Sequence, residues 1–317
     1  MFRFLARRLA FCAALVVIAA SAALLLTRLA PGDLTVGLGS FPNAQQVAAA
    51  RARFALDRPP AEQWRDWAAS ALRLDFGESF LYHRPVGPLV LDAAGNTAVL
   101  AITALFLATL AGIGLGIVTG SRRGVVPNVV RTASMAAVSL PSLITSLGLL
   151  FVAARTGWFP VGGMSSLDAA VSGRYWSDVA AHVPLPALAL ALPVAAAFER
   201  LQSAALSEQV HQPFVLAAAA RGVPPRRLIL RHAWPASVKS VAAIYGLAIG
   251  SLLSGSFAVE FVTAWPGIGR LMYTALRARD IYLVAGCAAV GAALLSIGML
   301  IGDLLLALSD PRVRDAQ

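Results

Sequence analysis

Residues 93–121 read AAGNTAVLAITALFLATLAGIGLGIVTGS and contain no Asp, Glu, Lys or Arg. This run is longer than the about 20 residues that an α-helix needs to cross the hydrocarbon core of a bilayer. Because lipid offers the backbone no hydrogen-bonding partners, a spanning segment of this kind must satisfy its own N–H and C=O groups. The stretch therefore predicts a transmembrane helix and an all-α integral membrane protein.

The rest of the chain repeats this pattern. It is 58% hydrophobic and only 13% charged, whereas soluble domains are about 25% charged. The uncharged runs that are long enough to span a bilayer are residues 9–27, 93–121, 132–154, 179–198, 240–259 and 281–302. Six transmembrane helices are predicted. The fourth is the least certain span, because it contains Pro184, Pro186 and Pro193. Pro193 is expected to kink the helix, and Pro184 and Pro186 to precede its first full turn.

The charges set the orientation of these helices. The net charge is +10, but the basic residues are spread between the apolar runs, which is not typical of a nucleic-acid-binding surface. If the N-terminus is cytoplasmic, the inside loops carry a large excess of arginine over acids and the outside loops are close to balanced. The positive-inside rule then predicts that both termini are cytoplasmic.

Three regions are predicted along the chain. Residues 1–30 form an N-terminal transmembrane helix, which we interpret as retained and not as a cleaved signal peptide. Residues 31–92 form an extracytoplasmic helical insertion, with short helices at 43–56 and 61–74. Residues 93–317 form a five-helix transmembrane core with a cytoplasmic loop at 200–239. In the second short helix an apolar stripe is predicted to lie against the membrane surface or the outer ends of the spans; its members are Trp64, Trp67, Ala68, Ala71 and Leu72.

Small residues recur four apart on three of the spans. This spacing is typical of membrane helices that pack closely, because small side chains let the backbones approach. The positions are Gly112, Gly116 and Gly120 on span two, Gly246, Gly250 and Ser254 on span five, and Gly298 and Gly302 on span six.

The inside loop 200–239 is too long for a turn and too apolar for a solvated linker. A helix is predicted over 201–221 with a break at Pro213, and Gly222 is expected to end it. Pro224 and Pro225 then start a short helix with one basic and one apolar face. Such a knob, with alanines at 217–220, fits a groove on another protein; an amphipathic helix lying on anionic lipid is the alternative.

A second candidate site follows span five. Glu260 lies at the end of an apolar run and is followed by Trp265, Pro266 and Gly267. An acid near the membrane suggests a functional group, so these four residues are a candidate outer gate. The structural alternative is an ion pair between Glu260 and Arg270 or an arginine of another subunit.

The sequence lacks the motifs of common metal-binding and nucleotide-binding sites. The four histidines form no H-E-x-x-H pattern, and the single lysine, Lys239, does not belong to a phosphate-binding loop. We therefore predict no catalytic, metal or cofactor site in this chain. A secondary transporter driven by an ion gradient remains the alternative, although ionisable residues near mid-span are missing.

The loop also resembles the EAA loop of the inner-membrane permeases of binding-protein-dependent ABC importers. The family pattern E-A-A-x-x-x-G-x9-I-x-L-P corresponds here to Leu216-Ala217-Ala218, Gly222 and His232-Ala233-Trp234-Pro235, with Leu216, His232 and Trp234 departing from it. The resemblance marks an ATPase-coupling loop. Its candidate residues are Ala217, Ala218, Arg221, Gly222, Arg226, Arg227 and Pro235.

Further stretches are similar to the first (B-type) permease of the dipeptide, oligopeptide and nickel group. They include Pro31-Gly32-Asp33, LDRPP from residue 56, DFGESF from residue 75, VEFVTAWPGIGRL at 259–271 and DPRVR from residue 310; Gly95 replaces a proline usual in the group. The resemblance implies a second homologous permease, two cytoplasmic ATPase subunits that bind ATP and Mg²⁺, and an extracytoplasmic solute-binding protein. It also implies import, in the bacterial inner membrane, of peptides or similar small solutes.

Overall fold

The computed structural model describes residues 2–29, 58–166 and 173–309, together with Gln45 and Ala48. Thirteen α-helices and one π-helix account for most of this part of the chain. They are α1 (Phe2–Leu29), α2 (Pro60–Ala71), α3 (Val86–Ser121), α4 (Val125–Ser139), α5 (Ser142–Thr156), α6 (Tyr175–His182), α7 (Pro184–Gln209), α8 (Pro213–Ala220), α9 (Pro225–Arg227), the π-helix (Leu228–Ala233), α10 (Trp234–Ala242), α11 (Tyr245–Val262), α12 (Ile268–Ala278) and α13 (Ile281–Ser309).

Five stretches are long and apolar enough to cross a membrane: α1, α3, α6 with α7, α11 and α13. The pair α4 and α5 makes a sixth span if its two halves count as one. The all-α membrane fold is therefore confirmed. The predicted short helix at 43–56 lies, apart from Gln45 and Ala48, outside the described residues.

The third predicted span is not one straight helix. The axes of α4 and α5 differ by 111°, and the break falls at Leu140 and Pro141. Leu140 adopts extended backbone (φ −86°, ψ 119°), as expected for a residue that precedes proline. Pro141 cannot donate the helical hydrogen bond, so the uncharged run 132–154 bends where a single helix was predicted.

The fourth predicted span is one helix, with two of its prolines at the start as expected. Pro184 and Pro186 lie in the first turn of α7, and the helix continues through Pro193 to Gln209. Pro193 has no N–H to offer the carbonyl of Ala189, four residues earlier. The hydroxyl of Thr145 on α5 lies 3.3 Å from that carbonyl oxygen, and it lies closer, at 2.9 Å, to the carbonyl oxygen of Ser142 in its own helix.

The chain forms two compact units. The first contains residues 98–265 and the end of α13 from residue 298. Its core is built on α7, where Phe198 stacks on Tyr245 with ring centroids 5.1 Å apart, and Trp265 is fully buried.

Helix packing in the first unit follows the small residues. A Cβ atom on Gly112, Gly116 or Gly120 would lie 2.6 to 2.7 Å from α7 atoms. A Cβ atom on Gly302 would lie 2.4 Å from the Cα atom of Gly246. The predicted close approach of backbones is confirmed at these positions.

The second unit contains residues 2–97 and 266–297. Its core joins α1, the first half of α3, α12 and the first half of α13. Helix α2 packs on it through Trp67, which is 8% exposed, and the indole N–H of Trp64 donates to the hydroxyl of Ser21 at 2.8 Å. The predicted stripe thus lies against the spans, except that Leu72 is 87% exposed.

Asp280, directly before α13, links the segment around residues 78–85 to the start of that helix. One carboxylate oxygen accepts hydrogen bonds from the Ser79 hydroxyl (2.6 Å) and the Leu81 N–H (3.1 Å). The other accepts from the N–H of Leu283 (3.1 Å) and so caps α13. Burial raises the pKa of this carboxyl, although these hydrogen bonds oppose the rise.

Candidate functional site

The loop 200–239 folds into a compact knob that follows α7. We define the knob as residues 210–242, which include α8, α9, the π-helix and α10. Helix α8 starts at Pro213 and ends at Ala220, and Gly222, two residues later, has a left-handed φ of +80°. The Gly222 N–H bonds to the carbonyl of Ala219 (2.9 Å) and the Val223 N–H to that of Ala218 (3.3 Å). This is the glycine-ended helix stop that was predicted.

The second part of the knob begins as predicted, with Pro225 at the first position of α9. The backbone then widens into the π-helix, and the N–H of Trp234 bonds to the carbonyl of Ile229 five residues earlier. Leu228 and Ile229 pack on a small core of Leu206, Val215 and Ala233. Leu230 does not join them, since it is 53% exposed.

The knob presents one apolar and one basic surface. A cavity of about 210 Å³ opens between α8 and the π-helix and is lined by apolar side chains only, including Val215, Leu216 and Leu228. Arg221, Arg226 and Arg227 are exposed. The combination can bind a partner surface that carries both apolar and acidic groups.

The candidate coupling residues are mostly on the surface of the knob. Ala217 and Pro235 are exposed, and the Ala217 carbonyl accepts a hydrogen bond from Arg221 at 3.3 Å. Ala218 is only 1% exposed. It therefore supports the knob from inside, and a docking surface on α8 consists of the neighbouring exposed alanines.

The candidate outer-gate residues are divided between the two units. Glu260 and Trp265 belong to the first unit and are fully buried, and the Trp265 N–H bonds to the Glu260 carbonyl at 2.9 Å. Pro266 and Gly267 belong to the second unit, where the Pro266 carbonyl accepts a hydrogen bond from the side chain of Asn96 at 2.9 Å. Gly267 precedes α12. A gating role remains a prediction.

A buried polar cluster in the first unit was not predicted. The hydroxyl of Thr119 on α3 donates to the carboxylate of Glu199 on α7 at 2.5 Å, and Arg131 on α4 donates to the Thr119 carbonyl. Glu199 is 0% exposed. In sequence it looks like an ordinary loop acid beside Arg200, and only its position next to the apolar run 179–198 hints at burial.

Nothing in the described residues groups three His, Cys, Asp or Glu side chains as a metal site would. The geometry instead shows a bundle of spans with a knob that offers an apolar cavity and a basic surface. This arrangement suits a membrane protein whose knob can contact another molecule through its apolar and basic surfaces.

Comparisons with known proteins agree with this architecture. Residues 112–315 match the family described as binding-protein-dependent transport system inner membrane component. The chain is 30% identical to the oligopeptide transport system permease protein OppB of Mycobacterium bovis, with 99% of each chain covered. It is 28% identical to the oligopeptide transport system permease protein AppB of Bacillus subtilis, over 82% of this chain and 83% of that one. It is 29% identical to the di/tripeptide transport system permease protein DppB of Pseudomonas aeruginosa, over 91% and 92%.

The family match covers more than half of the chain and includes the whole knob. Membership of this family explains the spans, the absence of a nucleotide-binding motif in the sequence and the glycine-ended helix together. The alternative of a secondary transporter does not explain all three. The chain belongs to the family of binding-protein-dependent transport system inner membrane components, the permease subunits of ATP-driven importers.

Proposed function

We propose that this chain forms one half of a translocation path for peptides or similar small solutes. A second, homologous permease supplies the other half. The proposal of peptide cargo is supported by the oligopeptide and di/tripeptide permeases that resemble the chain over most of its length.

The knob is the proposed contact with the ATPases. Two cytoplasmic subunits bind ATP and Mg²⁺, so this chain itself needs no cofactor and hydrolyses nothing. The observation that carries the proposal is the exposed surface of α8 around Ala217, which ends in the left-handed turn at Gly222. Small side chains there allow a helix to enter a groove closely, and Arg226 and Arg227 add charge at its edge.

The proposed orientation follows from the same assignment. With the knob and both termini in the cytoplasm, α2 lies on the outer face of the bacterial inner membrane. An extracytoplasmic solute-binding protein then delivers cargo on that side. ATP binding moves the knob, and the rigid spans that follow it carry the displacement to the path, as a two-state switch biased by a partner's ligand.

The first experiment is purification of the complex through this chain, with the co-purifying subunits counted by mass spectrometry. We expect one homologous permease and two ATPase subunits per complex. ATP hydrolysis should rise when the cognate binding protein and a peptide are added. Recovery of this chain alone, in a preparation that transports without ATP, would contradict the proposal.

Variants then test the knob itself. Ala217→Arg places a long side chain on the exposed surface of α8, and we expect loss of ATPase association. Ala69→Arg is the matched control, because Ala69 is equally an exposed helical alanine but lies on α2. Equal association of the two variants with the ATPases would show that α8 is not the contact.

A further inference from the structure

A cavity of about 240 Å³ lies between α4 and α7 in the first unit. Arg131 and Met135 line it from α4, and Glu199, Arg200 and Ser203 line it from α7. The cavity is open to the surface and adjoins a membrane helix end, since Thr119, which is bonded to Glu199, lies in the last turn of α3.

The end of α3, beside the cavity, marks the depth in the membrane at which lipid headgroups contact the protein. Helix α3 ends at Ser121, and Arg122 and Arg123 follow at once. Paired arginines at the end of an apolar span mark the boundary between hydrocarbon and water. A ligand of this cavity can therefore enter from the membrane as well as from water.

One side of the cavity suits a phosphate group. Arg131, Arg200 and Ser203 all line the cavity. The Arg131 guanidinium donates one hydrogen bond to the Thr119 carbonyl and has further N–H groups. Arginine binds phosphate through paired N–H donors. Basic pockets between transmembrane helices commonly hold lipid headgroups for this reason.

The other side suits an amine. The carboxyl of Glu199 is fully buried. Its Oε1 atom accepts the hydrogen bond from Thr119, whereas Oε2 is buried and accepts no hydrogen bond from any described residue. A buried carboxylate with an unsatisfied oxygen is costly. A donor that also carries positive charge would satisfy both the oxygen and the charge.

We propose that this cavity binds the headgroup of an aminophospholipid such as phosphatidylethanolamine. The phosphate lies between Arg131 and Arg200, and the ammonium group donates to Oε2 of Glu199. Because that oxygen is closed off while the cavity is empty, a wall side chain must move aside. Met135 is the adaptable one, with an unbranched and flexible side chain that is 57% exposed.

The outer surface of α4 continues the site into the membrane. Met135 and Val138 follow Arg131 at four and seven residues, so the three share one face of the helix. Both apolar side chains are exposed, Met135 by 57% and Val138 by 40%. An acyl chain can lie along them while the headgroup occupies the cavity.

The chemistry separates this ligand from the other common phospholipids. Phosphatidylcholine has the phosphate but no N–H to donate to Glu199. Phosphatidylglycerol has the phosphate but brings no positive charge to the carboxylate. The proposal concerns a lipid site and is independent of the cargo and of the ATPase contact.

The test is a titration of the purified, lipid-depleted complex with dioleoyl-phosphatidylethanolamine, its N-methyl and N,N-dimethyl derivatives, dioleoyl-phosphatidylcholine and dioleoyl-phosphatidylglycerol, followed by native mass spectrometry. A charge-assisted hydrogen bond corresponds to about tenfold in affinity. We therefore expect the three lipids with an N–H to bind about tenfold more tightly than phosphatidylcholine. The affinity should fall between the N,N-dimethyl derivative and phosphatidylcholine, because the third methyl group replaces the last N–H. This series needs only the wild-type protein.

Two substitutions test which side chain binds the amine of the lipid and which binds its phosphate. Glu199→Gln keeps the size and an acceptor for Thr119, and it should bring ethanolamine and choline lipids to equal affinity. Arg200→Gln should weaken both by about tenfold and leave their ratio unchanged. Arg155→Gln, at an exposed arginine on α5 outside the cavity, is the control and should change neither.

Three results would overturn the proposal. Equal wild-type affinity for ethanolamine and choline lipids would show that no N–H is recognised. A preference for phosphatidylglycerol would show that the cavity selects lipids by negative charge alone. An ethanolamine preference that survives Glu199→Gln would place the amine elsewhere.

Discussion

Replacement of Gly112 by alanine tests how closely α3 and α7 approach. The added Cβ atom would lie 2.6 Å from the carbonyl oxygen of Ala195 and 2.6 Å from the Cβ atom of Phe198. Both obstacles belong to the backbone or its first side-chain atom, so neither can rotate away. The two helices must separate by nearly 1 Å to reach the about 3.5 Å at which non-bonded atoms attract.

The matched control is Gly114→Ala on the same helix, because a Cβ atom there would have no neighbour within 4 Å. Both variants gain about 1 kcal/mol of helix propensity from the loss of glycine. Only Gly112→Ala incurs overpacking, which costs about 1–3 kcal/mol. The difference between the two variants isolates that cost, since the propensity gain cancels.

The assay is unfolding of the purified chain in mixed micelles, followed by tryptophan fluorescence under increasing denaturant. We expect Gly112→Ala to be less stable than Gly114→Ala by about 1–3 kcal/mol. The same order should appear in the yield of folded protein from membranes. If the two variants unfold together, α3 and α7 are not in backbone contact at Gly112, and the proposed packing of small residues is wrong there.

Three other substitutions probe single features of the structure. Thr145→Val should cost about 1 kcal/mol in unfolding experiments, because the carbonyl freed by Pro193 loses its nearby hydroxyl; in the background of Pro193→Ala the cost should shrink, and an unchanged cost would refute the pairing. Asp280→Ala removes a helix cap and leaves the Ser79 hydroxyl without its acceptor, for an expected loss of about 2–4 kcal/mol. Because burial places the pKa of Asp280 above that of an unfolded chain, its ionisation opposes folding. The free energy of unfolding of the wild-type protein should therefore exceed that of Asp280→Asn by the largest amount below the unfolded pKa. This difference should shrink as the pH rises through the folded pKa. A difference that does not change with pH would show that the pKa of the Asp280 carboxyl is not raised. Gly222→Val should impair ATPase association more than Gly222→Asn, since asparagine tolerates left-handed backbone; equal loss would point to side-chain size instead.

The membrane helices could be predicted because their signal is local. An uncharged run long enough to span forms helix in lipid because its backbone must satisfy its own hydrogen bonds, although a proline inside the run, such as Pro141, can divide it into two helices. The same holds for the end of α8, where Gly222 and the following prolines act through backbone geometry alone. The small-residue pairs, such as Gly246 with Gly302, were also visible in sequence, although their partners were not.

The buried cluster around Glu199 could not be predicted in this way. Thr119, its hydrogen-bond partner, is 80 residues away along the chain. The burial of Ala218 within a row of alanines likewise depends on where Val215 and the π-helix pack. In both cases the sequence indicates the residue type, and tertiary contacts decide which way the side chain faces.

Pro141 and Pro193, which lie in two different uncharged runs, show why such contacts matter. Pro141 ends one helix and begins another, whereas Pro193 lies inside a continuous helix. Each lacks the same N–H, so the difference must come from what surrounds the freed carbonyl. Thr145 follows Pro141 by four residues and lies in the first turn of α5, which is where the break places it. From there its hydroxyl reaches the carbonyl that Pro193 leaves without a donor. The bend in the third span thus places a hydroxyl beside the fourth span, a contact that sequence periodicity within either span could not reveal.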